Sequence, residues 1–467
     1  MPENEKLCGI YTDDANWIKY CITASLTLAW MCLGYFTELL GPFLKTLMVQ
    51  LNTDYGGIGT ALSVRSAGFF TGSLFGGIIC DIHTRFLHLL LVVSLLCAAL
   101  TTAVIPHCTS LGAFCFILFI AGIAHGLLSS AGNPLMSHTW TTKASGPFNL
   151  MHSGYGVGGA ITALIIKALE DPLNKENEHL DILPPMIIAT CASSLMAIPF
   201  LLLFLRHLKL TKYFIESEEK IYLKGVEKHS DDQDKIETFI NIPERFTLMI
   251  KFKNIWIFFR DNMKLWVART ELKRPILILY ILVIYFCLMG NERVASKFLY
   301  TYIQSGEHGT DKQDALLVQS AFWGVYCLGR FIIFLLSFKI KINHLYIAEI
   351  TGALLSSACF AFAPRQRESL ISCVLLFALF KSPLFPSTIG VFGQICRITG
   401  FIVLFIDIGS SLGGITYQIV AAKIIQYSGI TVFPYILFGT VVVIFPFSTF
   451  LTYIVHKDIR NNLDVKK

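Results

Sequence analysis

The sequence predicts an all-α integral membrane protein of twelve transmembrane helices arranged as two six-helix halves. Three observations predict it. Hydrophobic residues make up 54% of the 467-residue chain and charged residues only 15%, with a mean hydropathy of +0.61. Apolar runs of about 20 residues, the length a helix needs to cross a ~30 Å hydrocarbon core, recur twelve times. A long polar connection separates the first six runs from the last six.

In chain order the N-terminal tail, 1–16, comes first. It has no basic leader region and no cleavage motif, so no signal peptide is expected. Six spans follow within 17–205, at 17–40, 56–80, 88–106, 111–136, 148–169 and 183–205. The connection 206–274 opens with the mixed-charge stretch "HLKLTKYFIESEEKIYLKGVEKHSDDQDK" and continues with "RFTLMIKFKNIWIFFRDNMKLWV". In the latter, Phe252, Ile255, Trp256, Phe259, Met263 and Trp266 fall on one helical face, and Lys253, Arg260 and Lys264 on another. That pattern fits a helix lying in the inner membrane interface, or one packed against the inner ends of the bundle. Six more spans occupy 275–455, at 275–302, 315–338, 345–363, 370–396, 399–425 and 432–455, before the tail 456–467. The most closely spaced pair is the tenth and eleventh, joined by "CRIT" at 396–399.

Orientation follows from the short loops. With both termini cytoplasmic, the inner segments carry eleven Lys and Arg against six outside, as the positive-inside rule requires. The connection 206–274 is then cytoplasmic as well. The net charge of +6 reflects this asymmetry and argues for no nucleic-acid partner. The thirteen cysteines lack C-x-x-C spacing and sit mostly in apolar runs, so neither a disulfide framework nor a metal site is expected. No H-E-x-x-H, G-x-S-x-G or P-loop nominates an enzyme. Twelve spans also argue against a seven-helix receptor.

Glycines recur in every third span, four apart at Gly68, Gly72 and Gly76 in the second, Gly154 and Gly158 in the fifth and Gly409 and Gly413 in the eleventh, and five apart at Gly324 and Gly329 in the eighth. Small residues at this spacing let helix backbones approach closely in lipid, although glycine is also common in membrane helices generally. Ionisable residues inside spans are few: Glu38, Arg65, His125, His152, Glu292, Arg293, Lys297, Glu349, Lys381 and Asp407. Each is costly in hydrocarbon unless it is paired or faces a polar cavity. Glu349 lies close enough to a span end to be discounted by snorkelling, whereas Lys381 is about eleven residues from either end. Glu292 lies roughly 25 Å along its helix from Pro275, and Arg293 and Lys297 share a face offset from it. The trio fits either a salt bridge that holds the bundle or a carboxylate on a polar pathway.

These motifs resemble the major facilitator superfamily, in the branch of sodium-dependent glucose transporters and fucose permeases. "GGIICDIHTRF" resembles the loop signature after the second helix, with Gly77 and Asp81 in place and Ile82 where an arginine is usual. "AGNPLMSHTW", with Asn133 and Trp140, resembles the branch's fourth helix, and in "FNLMHSGYGVGGAI" His152 falls on a sugar-binding position of the fifth. "GNERVASKFLYTY", with Gly290, Glu292, Thr301 and Tyr302, resembles the seventh; "SAFWGVYCLGR" the eighth; "FPS" at 385–387 the tenth. Gly41 and Ser129 stand where fucose permeases carry coupling carboxylates, with Glu38 one turn before Gly41 as a substitute.

The resemblance implies that spans 1, 4, 7 and 10 line a central cavity and that spans 2, 5, 8 and 11 join the halves. It implies a monomeric, multi-pass transporter in the plasma membrane that moves a small polar solute, a hexose such as glucose, by alternating access. No cofactor is expected, and Na+ or H+ is the co-transported ion if uptake is coupled. Asn133, His152, Glu292, Tyr302, Trp323 and Lys381 are the expected solute contacts. Glu38 and Glu292 are the coupling candidates. Gly72, Gly76, Gly77, Asp81, Gly158, Gly324, Arg330 and Gly413 are expected in packing and gating between the halves. Two alternatives stay open: an organic-anion transporter using Lys381, Arg293 or Arg65, and a non-transporting nutrient sensor signalling through 206–274.

Overall fold

In a computed structural model of the chain, residues 16–82, 86–140, 145–170, 180–226, 275–305, 310–362, 366–395 and 400–464 are described. Every regular element among them is a helix. This is what lipid imposes: a chain crossing hydrocarbon must satisfy its backbone polar groups internally, which a single strand cannot do. The side chain of Asp81, the "CRIT" turn and the interfacial-helix stretch of 206–274 lie outside the described residues.

The first half contains α1 (Asn16–Leu39), a short α2 (Leu44–Gln50), α3 (Tyr55–Ile82), α4 (Leu87–Val104), α5 (Leu111–Trp140), α6 (Ser145–Leu169) and α7 (Leu183–Val226). The second contains α8 (Pro275–Ser305), α9 (Lys312–Ser337), α10 (Ile342–Phe362), α11 (Arg367–Lys381), α12 (Leu384–Phe392), α13 (Gly400–Ser428) and α14 (Phe433–Asp464). All twelve expected spans are helical, the tenth as the pair α11 and α12. Ten of these segments are long and apolar enough by length and composition to cross a membrane among the described residues. Residues 1–204 and 279–467 form one compact body, and 205–278 form a second unit.

Two features were not expected from hydropathy. Helix α2 caps the turn after the first span, and the tenth span is broken between Lys381 and Leu384. Pro383 and Pro386 explain the break, because proline has no N–H to donate to the carbonyl four residues back. In an unbroken helix the Ser382 carbonyl would accept from residue 386. Freed of that partner, it accepts instead from Arg330 Nε of α9 at 3.2 Å.

Within the first half, α3 packs on α5, α1 on α6, and α4 on α5. Ile22, Leu26, Trp30, Leu91, Leu128 and Phe200 belong to its buried apolar core. In the second half α10 packs on α11 and α14, and α9 on α11. Large apolar side chains point outward from the spans at the periphery: Leu100 on α4, Leu202 on α7 and Leu355 on α10 are each more than 60% exposed. On a water-soluble protein such a belt would aggregate; here it is the lipid face.

The halves meet where α3 lies against α13 and α6 against α9. These are spans 2 with 11 and 5 with 8, as the resemblance implied. The glycines are the correction. Gly68 and Gly72 press on backbone atoms of Phe119 and Ile123 in α5, with Gly76 against Ser130; Gly154 and Gly158 press on Thr27 and Met31 in α1; Gly329 presses on Leu379; and Gly409 and Gly413 press on Leu282 and Phe286 in α8. All of those contacts are inside one half. Gly77 and Gly324 have open space where a Cβ would go. The seam glycines are others: Gly59 against Ala422, Gly156 against Cys327, Gly159 against Trp323 and Gly414 against Ser66. Gly156 lies two residues from both Gly154 and Gly158, about 200° around the helix, so one helix presents a close-contact face to each neighbour.

Candidate functional site

Helix α8 carries three charges within two turns and sends them in different directions. Lys297 points across the seam to the first half. Its Nζ donates to Glu38 Oε1 at 3.1 Å and to the Thr37 carbonyl at 2.6 Å, and both side chains of the pair are sealed from solvent, at 0% and 1% exposure. Tyr155 of α6 donates its hydroxyl to the same Glu38 oxygen at 3.0 Å, while Glu38 Oε2 has no partner. Arg65 of α3 is buried beside them, 3.4 Å from His125 Nδ1, with its Nε unpartnered. Arg293 is half-buried, and it and Arg65 both act electrostatically on Lys297.

Glu292 turns the other way, into its own half. Its Oε2 accepts from the Tyr326 hydroxyl of α9. Arg330 lies over the Tyr326 ring, 4.9 Å from its centroid, while its Nε holds the Ser382 carbonyl. Lys381, the last residue before the break, is buried and donates to the Leu288 carbonyl at 3.0 Å. Glu292 and Arg330 both act on it electrostatically. An aromatic row links the two clusters: Tyr155 meets Trp323 at 5.7 Å between ring centroids, and Trp323 meets Tyr326 at 5.1 Å. Trp323 is buried and its Nε1 has no acceptor.

The expected contacts thus divide. Glu292, Trp323 and Lys381 come together, with Glu38, Arg65, Tyr155, Tyr326 and Arg330 around them. His152 is exposed and sits edge-on to Trp30 at 5.8 Å between centroids, within the field of Arg330. Asn133 is half-buried; its Nδ2 donates to Ser129 Oγ at 3.2 Å and its Oδ1 is unpartnered. Tyr302 does not join the site: it is buried between Phe360 of α10 and Phe433 of α14, at ring distances of 5.7 and 5.3 Å. It lies ten residues, nearly three turns, beyond Glu292 on α8, and its ring is taken up by those two aromatic side chains. Arg330, expected at a gate with Asp81, is engaged with Tyr326 and Ser382 inside the second half. Trp140 packs on Tyr20 and donates to Thr23 near the terminal end of α1, away from the charges. Tyr155 and Tyr326 were missed, although both lie in the stretches that carry the resemblance.

The halves are tied by polar contacts that begin at the end of the bundle opposite the termini. Gln426 binds Asp54 Oδ2 at 2.6 Å and the Gly56 N–H at 3.1 Å. Lys312 pairs with Glu170 at 2.9 Å, and Ser63 donates to the Ile415 carbonyl at 2.7 Å. The Ser320 hydroxyl reaches the Ala160 carbonyl at 2.8 Å, and Cys327 approaches the Ser153 carbonyl at 3.8 Å. The Glu38–Lys297 pair belongs to the same set.

A multi-pass helical membrane protein with two halves meeting around a buried charged site defines a class, that of transporters built on paired helical bundles. The sequence model of the Major Facilitator Superfamily matches residues 26–416, and the chain belongs to this family of transporters. It is 21% identical to the sodium-dependent glucose transporter 1 of Danio rerio over 403 residues, which is 85% of this chain and 63% of that protein. It is also 21% identical to the Homo sapiens protein of the same name, over 83% of this chain and 70% of that one. Among solved structures it is similar to the xylose transporter XylE from E. coli, with a TM-score of 0.63 at 11% identity, covering 92% of this chain and 98% of that one. The nucleoside transporter NupG matches with a TM-score of 0.58 at 15% identity, covering 95% and 99%. At such identities these structures establish the fold.

Proposed function

We propose that this protein moves a small hydroxyl-rich solute, a hexose such as glucose, across the plasma membrane by alternating access, as a monomer with both termini cytoplasmic. The observation that carries the reading is the Glu38–Lys297 pair: a sealed ionic contact between the two halves at a central polar site, continuous with the ties toward the far end. A transporter must hold one side shut while the site opens to the other, then exchange the two. On this reading the present state is closed to the outside. Groups without partners are available to sugar hydroxyls: Asn133 Oδ1, Trp323 Nε1 and the exposed His152 ring. The names of the relatives, a sodium-dependent glucose transporter and a xylose transporter, support the same solute class.

A second reading has its own observation. Five cations, Arg65, Arg293, Lys297, Arg330 and Lys381, surround two carboxylates, Glu38 and Glu292, which favours an anionic solute. The test is uptake by the purified full chain in liposomes, with labelled D-glucose run against a panel of small carboxylates, with and without a Na+ or pH gradient. Saturable glucose uptake supports the sugar reading. Carboxylate uptake abolished by Lys381→Ala, with glucose never moving, replaces it by the second. Solute bound but never accumulated or exchanged overturns transport and leaves a sensor.

A further inference from the structure

One buried carboxylate belongs to neither charge cluster. Glu349, on α10, is 1% exposed. Its Oε1 accepts from the Ser387 hydroxyl of α12 at 2.9 Å, and its Oε2 has no partner. It is enclosed by packed side chains although it lies only two turns from the start of α10, which corrects the expectation that it escapes by snorkelling. Its neighbours are hydroxyls. Tyr346, one turn earlier on α10, donates to Ser448 of α14 at 2.8 Å and accepts from Thr388 of α12 at 3.1 Å. Tyr285 of α8 donates to the Phe385 carbonyl at 2.8 Å.

What surrounds Glu349 decides what it does. The helices packed on α10 are α11, α12, α14 and, more lightly, α9. From α12 it meets Ser387, while Thr388 of α12 and Ser448 of α14 bind Tyr346 one turn away. The charged groups of α9 and α11 lie elsewhere: Lys312 with Glu170, Asp314 with Arg367, Arg330 with Ser382, Lys381 with Leu288, and Glu368 exposed; His456 and Lys457 of α14 are exposed as well. Tyr346 is the titratable group beside it, and among the described residues no charged side chain acts on it. By contrast Glu38 has Lys297, and Glu292 has Arg330 and Lys381 nearby. An ionised carboxylate without a cation in a low-dielectric interior is too costly to persist, so the charge must be cancelled by something the solute site does not supply.

We propose that Glu349 is a proton-loading site, separate from the central solute site, that takes a proton on Oε2 in one state of the transport cycle and releases it to the opposite side in another. This rests on the transporter reading. The geometry gives the site a lever. Ser387 belongs to α12, the short segment beyond the break at Ser382 and Pro383, and the Ser382 carbonyl in that break holds Arg330 beside Glu292. Adding a proton converts Glu349 from a pure acceptor to a donor–acceptor and changes its hold on α12. The segment is joined to the solute site by the two residues of the break, Ser382 and Pro383.

The test does not require the solute. Infrared difference spectra of the purified full chain in lipid, taken at pH 7 against alkaline pH, are expected to show the carbonyl stretch of a protonated carboxylic acid. The band is expected to vanish in Glu349→Gln and survive in Glu292→Gln. Ser387→Ala keeps the carboxyl and removes its hydroxyl partner, so the band is expected to move to higher frequency without disappearing. The variant also guards against a misfolded Glu349→Gln. Absence of any band at pH 7 that Glu349→Gln removes overturns the proposal. So does a band that collapses when sodium is added at constant pH, because a metal ion is then the occupant. In liposomes, Glu349→Gln is expected to lose accumulation driven by a pH gradient while retaining solute exchange at equal pH. Wild-type accumulation indifferent to pH also overturns it. Failure of every solute to move refutes the transporter reading and leaves the infrared result standing by itself.

Discussion

Replacing Lys297 by alanine is expected to open the end of the bundle that this structure holds shut. The pair with Glu38 is 3.1 Å long and excluded from solvent. At an effective dielectric of about 20, two unit charges at that distance attract by roughly 5 kcal/mol. Breaking a buried pair by removing one partner costs about 3–5 kcal/mol, because the other charge is left stranded. Tyr155 would be Glu38's remaining donor. At about 1.4 kcal/mol per factor of ten, the closed state loses between roughly 10²-fold and several thousand-fold in population relative to a state that wets the site. Spin labels at Val49→Cys and Tyr427→Cys report on this. Both positions are exposed at the far end, one in each half, at 64% and 83%. The native cysteines exposed among the described residues, Cys21, Cys191 and Cys359, are first replaced by serine, together with Cys8 and Cys396. Pulsed dipolar spectroscopy should show a longer-distance population in Lys297→Ala. Glu38→Gln combined with Lys297→Met, which removes both charges, should restore much of the short population, since a buried pair exchanged for neutral side chains costs little. An unchanged distance distribution in Lys297→Ala, or a double variant no closer to wild type than the single one, refutes the reasoning.

Gly158→Ala drives a methyl into backbone atoms of Met31 and Tyr35 and should destabilise the first half by about 1–3 kcal/mol, whereas Gly324→Ala, with open space, should be neutral; thermal unfolding in detergent compares them. Tyr326→Phe leaves Glu292 Oε2 without its donor, at a cost of about 1–3 kcal/mol. It should alter the KM of whichever solute is carried, read in liposome uptake. Tyr302→Ala removes a ring packed between Phe360 and Phe433 and should cost about 3–5 kcal/mol in stability. Solute selectivity in the folded fraction should be unchanged; a changed selectivity would return Tyr302 to the site. Gln426→Ala removes hydrogen bonds at an exposed far-end contact and should shift stability by less than about 1 kcal/mol, checked by the same melting assay.

The twelve spans were legible because lipid allows so few solutions: an apolar run of sufficient length must be a helix. The break in the tenth span was visible as "KSPLFP" but hydropathy does not register it, since prolines are apolar enough to pass. Glycine spacing revealed that a close-contact face exists, and not which neighbour it meets. Gly154 and Gly158 turned out to serve α1, with Gly156 and Gly159 serving the seam. Partners across the site were illegible for a simple reason: Glu38 and Lys297 are 259 residues apart, and no local pattern links them. Glu349 was underrated because distance from a span end measures depth along one helix, whereas burial is set by the three helices around it.

The tie between Arg330 and the Ser382 carbonyl has a mechanical consequence. Its acceptor is a backbone atom, so it does not depend on any rotamer of α11 or α12 and does not loosen when their side chains rearrange around a solute. Force applied to the eighth span is delivered directly to the elbow of the tenth. The acceptor exists because residue 386 lacks an N–H, so the grip of an arginine is encoded at a proline. A scan of side chains around Arg330 would never find the position that controls it.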